Sequence, residues 1–280
     1  MTRLDISPLT RVVARADRAR DGEGDPTLVP TGFPSLDRAI AGGLRRGDLI
    51  VLGGDDGAGT SSLAMAIALR QSAPALLLTT EMPTDRVYER ALASSARVSL
   101  ESLRLGALDE SERVRLGAAA LSLRDRAPVV ERLDRDGVAA VERAIDASPA
   151  AALVIVDGLE ALLERDSARD DALAWTVLAL KRIALERDVA LLLLSHLSQL
   201  DRSRQDLRPR LTDFGARGAI GVHADLVLGL YRDEMYDPEM IATGATELRV
   251  VKQRDGSLGY VDLYFFAQWL RFEDVLDPEH

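Results

Sequence analysis

The chain has 280 residues, of which 47% are hydrophobic, so it can bury a sizeable core in one large domain or two small ones. It contains no cysteine, which excludes disulfides and thiolate-held metals. No apolar run reaches the length needed to cross a bilayer, and the formal net charge of -10 argues against a protein that coats nucleic acid over its whole surface. Because the first twenty residues also lack the apolar core of a signal peptide, we expect a cytoplasmic protein with no membrane partner.

The first predicted element is a short amphipathic helix over residues 4–18. Residues 21–27 follow as a flexible linker rich in glycine and aspartate. A helix of this length is marginal alone, so we expect it to dock on its own domain or on a neighbour. We therefore divide the chain into a linker helix with its linker, residues 1–27, and one large domain, residues 28–280.

From Val29 onward, buried apolar strands alternate with helices. The predicted strands span 48–53, 75–80, 151–157 and 189–195, and the predicted helices span 61–70, 84–96, 110–123 and 171–187. Continuous apolar strands are typical of a parallel sheet that is covered on both faces. After Ala224 the pattern changes to consecutive strands, which we expect to be antiparallel. The fold class is therefore α/β, a mostly parallel central sheet flanked by helices, with an antiparallel C-terminal extension.

The stretch VLGGDDGAGTSSLAMAIAL, residues 51–69, has the outline of a phosphate-binding loop between a strand and a helix. In the pattern GxxxxGK[ST], Gly54 and Gly59 hold the glycine positions and Ser61 holds the hydroxyl position. Backbone N–H groups and the helix N-terminus of such a loop can face a phosphate. The alternative is a glycine-rich turn that serves the architecture only.

Three residues of this stretch count against phosphate binding. Thr60 stands where the pattern requires lysine, and Asp55 and Asp56 would repel a phosphate if they pointed inward. The chain has only two lysines, Lys181 and Lys252, so it avoids lysine generally, yet threonine cannot carry a charge. The missing charge-assisted contact is worth on the order of 1.5–3 kcal/mol, which is roughly one to two decades of affinity.

Polar side chains follow three of the predicted strands, at the sheet edge where parallel α/β proteins bind ligands. Asp157 could hold magnesium through water, or it could simply cap its strand. Glu81 could polarise an attacking water, or it could be an exposed loop glutamate. Ser195 and His196 end a third strand, where His196 suits a γ-phosphate sensor although a lone histidine is more often structural.

The most basic loop region spans residues 201–220. Its candidate phosphate and DNA contacts are Arg202, Arg204, Arg208, Arg210 and Arg217. The alternative is a solvated surface loop. Further along, Lys252 and Arg254 occupy alternate positions at a predicted strand end, so their side chains are expected to point the same way.

Taken in order, these segments resemble the C-terminal motor domain of DnaB-type replicative helicases, a RecA-like P-loop NTPase fold of superfamily 4. The resemblance covers nearly all of the chain from Val29. It is carried by TTEMP, LVIVDGLEAL, DVALLLLSHLSQLDRSRQDLRPRLTD, GAIGVHADLVLGLYRDEMYDP and VVKQRDGSLGYVDLYFFAQWLRFEDV. It implies ATP and Mg²⁺ as cofactors, single-stranded DNA as a partner, and a ring-shaped homo-oligomer, a hexamer, in which the N-terminal helix docks on the neighbouring subunit.

The resemblance also implies a role for each site residue. Glu81 corresponds to the catalytic base, Ser61 and Asp157 to the magnesium ligands, and Lys252 and Arg254 to the finger pair that reaches a neighbour's γ-phosphate. The nucleotide-binding set is Gly54, Gly57, Gly59, Thr60, Ser61, Ser62 and His196. Arg208 and Arg210, with the loop 214–220, correspond to DNA-facing residues.

The chain departs from the family pattern in three places. Thr60 replaces the loop lysine, His196 replaces the usual glutamine of the sensor strand, and residues 213–221 lack the family's arginine–glutamate pair. Three functions stay open at this point: an ATP-driven ring motor on DNA impaired by the lost lysine, a catalytically degenerate paralogue with a binding or regulatory role, and a RecA- or RadA-like recombination ATPase. The C-terminal segment disfavours the third.

Overall fold

The computed structural model of the protein describes residues 7–133, 137–163, 169–237 and 243–275. Its strands are β1 (Leu28–Val29), β2 (Leu44–Arg45), β3 (Leu49–Gly54), β4 (Leu76–Thr79), β5 (Val129–Arg132), β6 (Leu153–Asp157), β7 (Ala190–His196), β8 (Leu226–Tyr231), β9 (Ala245–Gln253), β10 (Gly259–Phe266) and β11 (Arg271–Asp274). Its helices are α1 (Pro8–Arg20), α2 (Pro34–Ala39), α3 (Thr60–Leu69), α4 (Thr84–Ala96), α5 (Leu100–Leu105), α6 (Glu110–Leu123), α7 (Gly137–Ala147), α8 (Arg169–Arg187) and α9 (Ala219–His223).

Nine of these strands form one sheet in the order β11-β10-β9-β8-β3-β7-β6-β4-β5. The six from β8 to β5 are parallel, and β8, β9, β10 and β11 pair antiparallel with one another. The short strands β1 and β2 form a separate antiparallel ribbon. The predicted α/β class, with its mostly parallel sheet and antiparallel C-terminal extension, is confirmed.

The sheet is buried on both faces because its central strands carry apolar side chains at every position. In β3, Ile50 and Leu52 belong to the core under α3, whereas Leu49 and Val51 belong to the core under α7 and α8. Side chains alternate between the faces of a strand, so a strand covered on both sides needs such a continuous run. This arrangement places the carboxyl ends of β3, β6 and β7 side by side at one edge.

Most predicted elements agree with the structure to within two residues, and α4 and α6 begin and end where they were predicted. Strands β1, β2 and β5 and the helices α2, α5, α7 and α9 were not predicted. Strand β5 was not predicted because its sequence, VVER, is short and mostly exposed on the edge of the sheet. Helix α5 is only six residues long, although Ser99 caps it by accepting a hydrogen bond from the Ser102 N–H.

The N-terminal helix α1 exposes its apolar residues. Leu9, Val12 and Val13 are 78%, 52% and 60% exposed, so nothing within the described chain covers them. The predicted start of this helix, residues 4–6, lies outside the described residues. The domain boundary at residue 27 stays a prediction. Among the described residues, no helix combines the length and apolarity that crossing a membrane would require.

Candidate functional site

The glycine-rich loop joins β3 to α3 at the carboxyl edge of the sheet. Gly57 and Gly59 have φ values of +84° and +104°, in the left-handed region that favours glycine. Gly59 is also the N-cap of α3, and no side chain caps the helix there. A Cβ on Gly59 would come within 3.1 Å of Phe272, so the loop rests directly on the C-terminal strands. The first N–H groups of α3 therefore have no side-chain partner at a helix end that can receive an anion.

Both aspartates in the loop have cationic or hydroxyl partners. Asp55 accepts hydrogen bonds at 2.7 and 2.9 Å from the guanidinium of Arg202 and at 3.0 Å from the hydroxyl of Tyr236. Burial opposes the ionisation of Asp55, but these hydrogen bonds and one from the Asp56 backbone hold its pKa below the usual range. Asp56 lies 2.8 Å from Nδ1 of His196. Arg202 therefore neutralises the charge of Asp55, whereas Asp56 has an imidazole as its neighbour.

Ser61 and Asp157 meet beside the loop. The Ser61 hydroxyl donates to Oδ1 of Asp157 at 3.1 Å, joining the first turn of α3 to the end of β6. Burial raises the pKa of Asp157, while the Ser61 hydrogen bond and the nearby charge of Arg90 oppose that rise. The structure thus brings together the two residues that the sequence assigned to the metal.

The other two predicted strand-end residues sit on either side of this pair. Glu81 is exposed two residues beyond β4, near enough to Asp157 for its charge to raise the pKa of that carboxyl. His196 ends β7 and lines the cleft. Its backbone N–H and the Ser195 hydroxyl both donate to Oε1 of Glu160, at 3.2 Å each. The other carboxylate oxygen of Glu160 is buried and has no hydrogen-bond partner among the described residues.

A cleft of about 640 Å³ opens over the loop. It is lined by Asp55, Asp56, Gly57, Gly59, Thr60, Ser61, Ser62, Arg90, His196, Arg232, Phe265, Ala267 and Leu270. The structure thus brings most of the predicted nucleotide-binding set together. It also adds Arg90 from α4 and Arg232 after β8, which the sequence did not single out. Arg232 donates to the Gly57 carbonyl at 3.2 Å and pairs with Glu234.

The predicted DNA-contacting arginines fall into two groups. Arg204 and Arg208 are largely buried in ion pairs, Arg204 with Asp213 at 2.8 Å and Arg208 with Glu247 at 2.5 Å. Arg202, Arg210 and Arg217 keep exposed side chains, and of these Arg202 is held by Asp55 and Arg217 by Asp171 at 2.6 Å. The guanidinium of Arg210 lies 3.8 Å from the carboxylate of Asp206. The five arginines therefore differ in how accessible their guanidinium groups are to a DNA phosphate.

Lys252 and Arg254 lie at the opposite edge of the sheet from the loop. Leu226, at the start of β8, pairs with both Gln253 and Ile50, which is four residues before Gly54. Arg254 pairs with Asp225 at 2.8 Å, and the Lys252 ammonium donates to the Ala224 carbonyl. The two side chains thus approach the same turn, as their alternate positions predicted.

Comparison with known proteins places this chain in a family. A family model described as the DnaB-like helicase C terminal domain matches residues 29–274. The chain belongs to this family. Among its curated relatives, the replicative DNA helicase DnaB of Pasteurella multocida is 31% identical over an alignment of 270 residues, which covers 92% of this chain and 57% of that protein. The replicative DNA helicase DnaC of Bacillus subtilis is 29% identical over an alignment of 279 residues, which covers 95% of this chain and 61% of that protein.

Solved structures share the fold of this chain. One, described as an ATPase domain, superposes on this DnaB-like domain with a TM-score of 0.86 at 25% identity, covering 97% of this chain and 99% of that one. A DnaB-like replicative helicase, described with its interactions with primase, superposes with a TM-score of 0.84 at 24% identity over 96% and 67% of the two chains, and shows the fold alone. The DnaB-like domain spans about three fifths of the length of the curated relatives it matches. The helicase-type interpretation is favoured over the recombination ATPase, and the residue roles stay predictions.

Proposed function

We propose that this DnaB-like domain is an ATP-dependent motor that assembles into a ring, a hexamer, around single-stranded DNA and takes part in DNA unwinding during replication. The observation that carries the proposal is the Ser61–Asp157 hydrogen bond of 3.1 Å beside an uncapped α3 N-terminus. In a fold of this family, that pair is where a magnesium-bound triphosphate would lie.

The residues present fit magnesium and ATP. Ser61 and Asp157 offer one hydroxyl and one carboxylate oxygen, and magnesium typically takes one or two such ligands with waters and phosphate oxygens. Among the described residues, no group of three or more His, Asp or Glu side chains could hold a metal without a substrate. When bound, magnesium would neutralise charge on the phosphates. Glu81 would then act as the base that activates the attacking water, and His196 would contact the terminal phosphate as a sensor.

The position of Lys252 and Arg254 supports a ring. Four residues of strand separate the level of Gln253 from Gly54, which is about 13 Å at 3.3 Å per residue. These cations therefore cannot complete their own subunit's cleft, but a neighbouring subunit could receive them. The exposed apolar face of α1 would hold such neighbours together.

ATP turnover by the purified chain, with and without oligo(dT), tests the proposal. Wild type is expected to hydrolyse ATP slowly and to be stimulated by the DNA, and Asp157→Asn is expected to lower turnover by about 100-fold or more because charge at the metal is lost. Asp262→Asn removes an exposed carboxylate on β10 and serves as the matched control. Turnover that survives in Asp157→Asn would contradict the assigned site.

A second function is favoured by Thr60 and the two loop aspartates. Arg202 pairs with Asp55 and His196 lies against Asp56, so both loop carboxylates have partners within the chain in the absence of an anion. Such a loop suits a non-enzymatic DNA-binding or regulatory paralogue. Binding of oligo(dT) by a wild-type chain that shows no turnover at any protein concentration would favour this function over the motor.

A further inference from the structure

The Arg90 side chain enters the cleft from α4 without a carboxylate partner. Among the described residues, its nearest polar contacts are the Ser62 hydroxyl at 3.5 Å and the Met82 sulfur at 3.9 Å. Arg90 is half-buried, and it lines the cleft together with Thr60 and Ser61. Asp157 is close enough to influence its charge, but no ion pair within 4.0 Å joins the two in this part of the chain.

Five other arginines that are buried to a similar degree each have a carboxylate partner. Arg70 and Arg271 pair with Glu273, Arg204 with Asp213, Arg208 with Glu247 and Arg232 with Glu234. A guanidinium withdrawn from water without an anion is costly, and burial lowers the pKa of Arg90 accordingly. Such a side chain, directed into an open cleft, indicates an anionic ligand.

The other arginines beside the cleft are already neutralised. Arg202 is held by Asp55 and Arg232 is bound by Glu234, while the His196 imidazole lies against Asp56. Thr60, at the position of the loop lysine, carries no charge. Within the described part of the chain, Arg90 is therefore the cleft arginine whose charge is not already paired with a carboxylate and can bind a phosphate.

We propose that Arg90 is the phosphate-binding cation of this subunit's own cleft and takes over the role of the lysine that Thr60 replaces. The inference rests on the proposed nucleotide site. A planar guanidinium can donate two parallel hydrogen bonds to phosphate oxygens, so an arginine entering from α4 can supply the charge that α3 lacks. The site then draws its cation from a neighbouring helix instead of from its loop.

Titration of a fluorescent ATP analogue with Mg²⁺ into four variants tests the exchange. Arg90→Ala is expected to weaken ATP binding by about 10- to 100-fold, the effect of one charge-assisted contact. Arg90→Lys should retain most of the affinity. The double variant Thr60→Lys with Arg90→Ala should return to within about threefold of wild type, since it restores one cation. Arg113→Ala, which removes an exposed arginine from α6, is the matched control and should bind as wild type does.

Adenosine separates phosphate binding from folding. Arg90→Ala should leave adenosine binding, measured by competition or calorimetry, unchanged while ATP binding falls, whereas loss of both would assign Arg90 a structural role and overturn the inference. Equal ATP affinities for wild type and Arg90→Ala would also overturn it and leave the proposed function intact. If neither wild type nor Thr60→Lys binds ATP, the proposed function fails and the inference with it.

Discussion

Asp55 and Arg202 join the glycine-rich loop to the loop that follows β7. Their two hydrogen bonds of 2.7 and 2.9 Å link a residue beside the candidate phosphates to the first of the predicted DNA-contacting arginines. Asp55 has a side chain only 10% exposed, whereas Arg202 is 64% exposed. Arg202 therefore neutralises a loop carboxylate that lies beside the proposed phosphate site.

Arg202→Ala is expected to weaken ATP binding by about 3- to 10-fold, because Asp55 keeps its charge and loses its main partner. Adding Asp55→Asn to that variant should restore the affinity by removing the repulsive charge. The measurement is a nucleotide titration of both variants against wild type. An affinity that rises in Arg202→Ala would show that the ion pair blocks the site.

Asp48, at the edge of the sheet opposite the glycine-rich loop, makes the stability of the folded state depend on pH. Burial, and then repulsion from Asp225, raise the pKa of Asp48 to about 6, although Lys181 and Arg45 oppose the rise. A raised pKa means that the folded state binds a proton more tightly than the unfolded state does. Stability from this carboxyl is therefore present below about pH 4 and is lost as the pH rises through about 6.

Asp48→Asn is expected to raise the free energy of unfolding at pH 8 by about 1–3 kcal/mol relative to wild type, because the amide carries no buried charge. The advantage should shrink steadily between about pH 6 and pH 4. Urea denaturation of both proteins across this range and at higher pH measures the difference. Asp262→Asn is the exposed control, and a constant difference across this range would contradict the assigned pKa.

At the scale of elements, the loop between β7 and β8 combines a fixed part with an accessible part. Arg204 is anchored to Asp213, and Arg208 binds Glu247 of β9 and lies over the Tyr231 ring at 4.7 Å. Arg210 is 56% exposed. The buried pairs set the shape of the loop and present Arg210 to solvent, so we expect different consequences from removing each arginine.

Arg208→Ala is expected to cost about 1–3 kcal/mol of stability, since it leaves Glu247 without its main partner. Arg210→Ala should change stability by less than about 0.5 kcal/mol but lower the affinity for oligo(dT) and reduce the salt slope by about one. Urea denaturation and binding titrations at several salt concentrations separate the two effects. A salt slope that Arg210→Ala leaves unaltered would place Arg210 in a solvated loop with no DNA contact.

For the whole molecule, the proposed motor would need assembly for activity, because the pair Lys252–Arg254 lies away from the cleft of its own subunit. ATP turnover per subunit should rise steeply with protein concentration. Mixing Lys252→Ala with Glu81→Gln subunits should restore part of the turnover that each lacks alone, because some interfaces then combine an intact base with an intact finger. A strictly monomeric protein in light scattering, with nucleotide and DNA present, would contradict this expectation.

The pattern of apolar residues in the sequence was sufficient to predict the central sheet, but it could not predict which charged side chains form ion pairs. The apolar runs of β3, β6 and β7 fix their place in a parallel core, and the glycine spacing locates the loop next to them. Ion pairing is decided by residues distant in sequence, such as Arg208 and Glu247, which are 39 positions apart. For the same reason Arg90 looks like any other arginine of an amphipathic helix until Val87 and Ala91 are seen packed into the core beside α3.

In the proposed ring, the contact between Gly59 and the C-terminal strands would connect one subunit's cleft with the next. Phe272 and Phe265 stack at 4.5 Å beneath Gly59, and β10, which carries Phe265, pairs along its length with β9, which ends beside Lys252. Close-packed side chains transmit displacement because no void absorbs it. A loop that closes on its ligand would thus displace β9, the strand that carries Lys252, which is proposed to reach the neighbouring subunit. In the proposed ring, this coupling would let each subunit influence ATP hydrolysis in the next, so that hydrolysis would proceed in sequence around the ring.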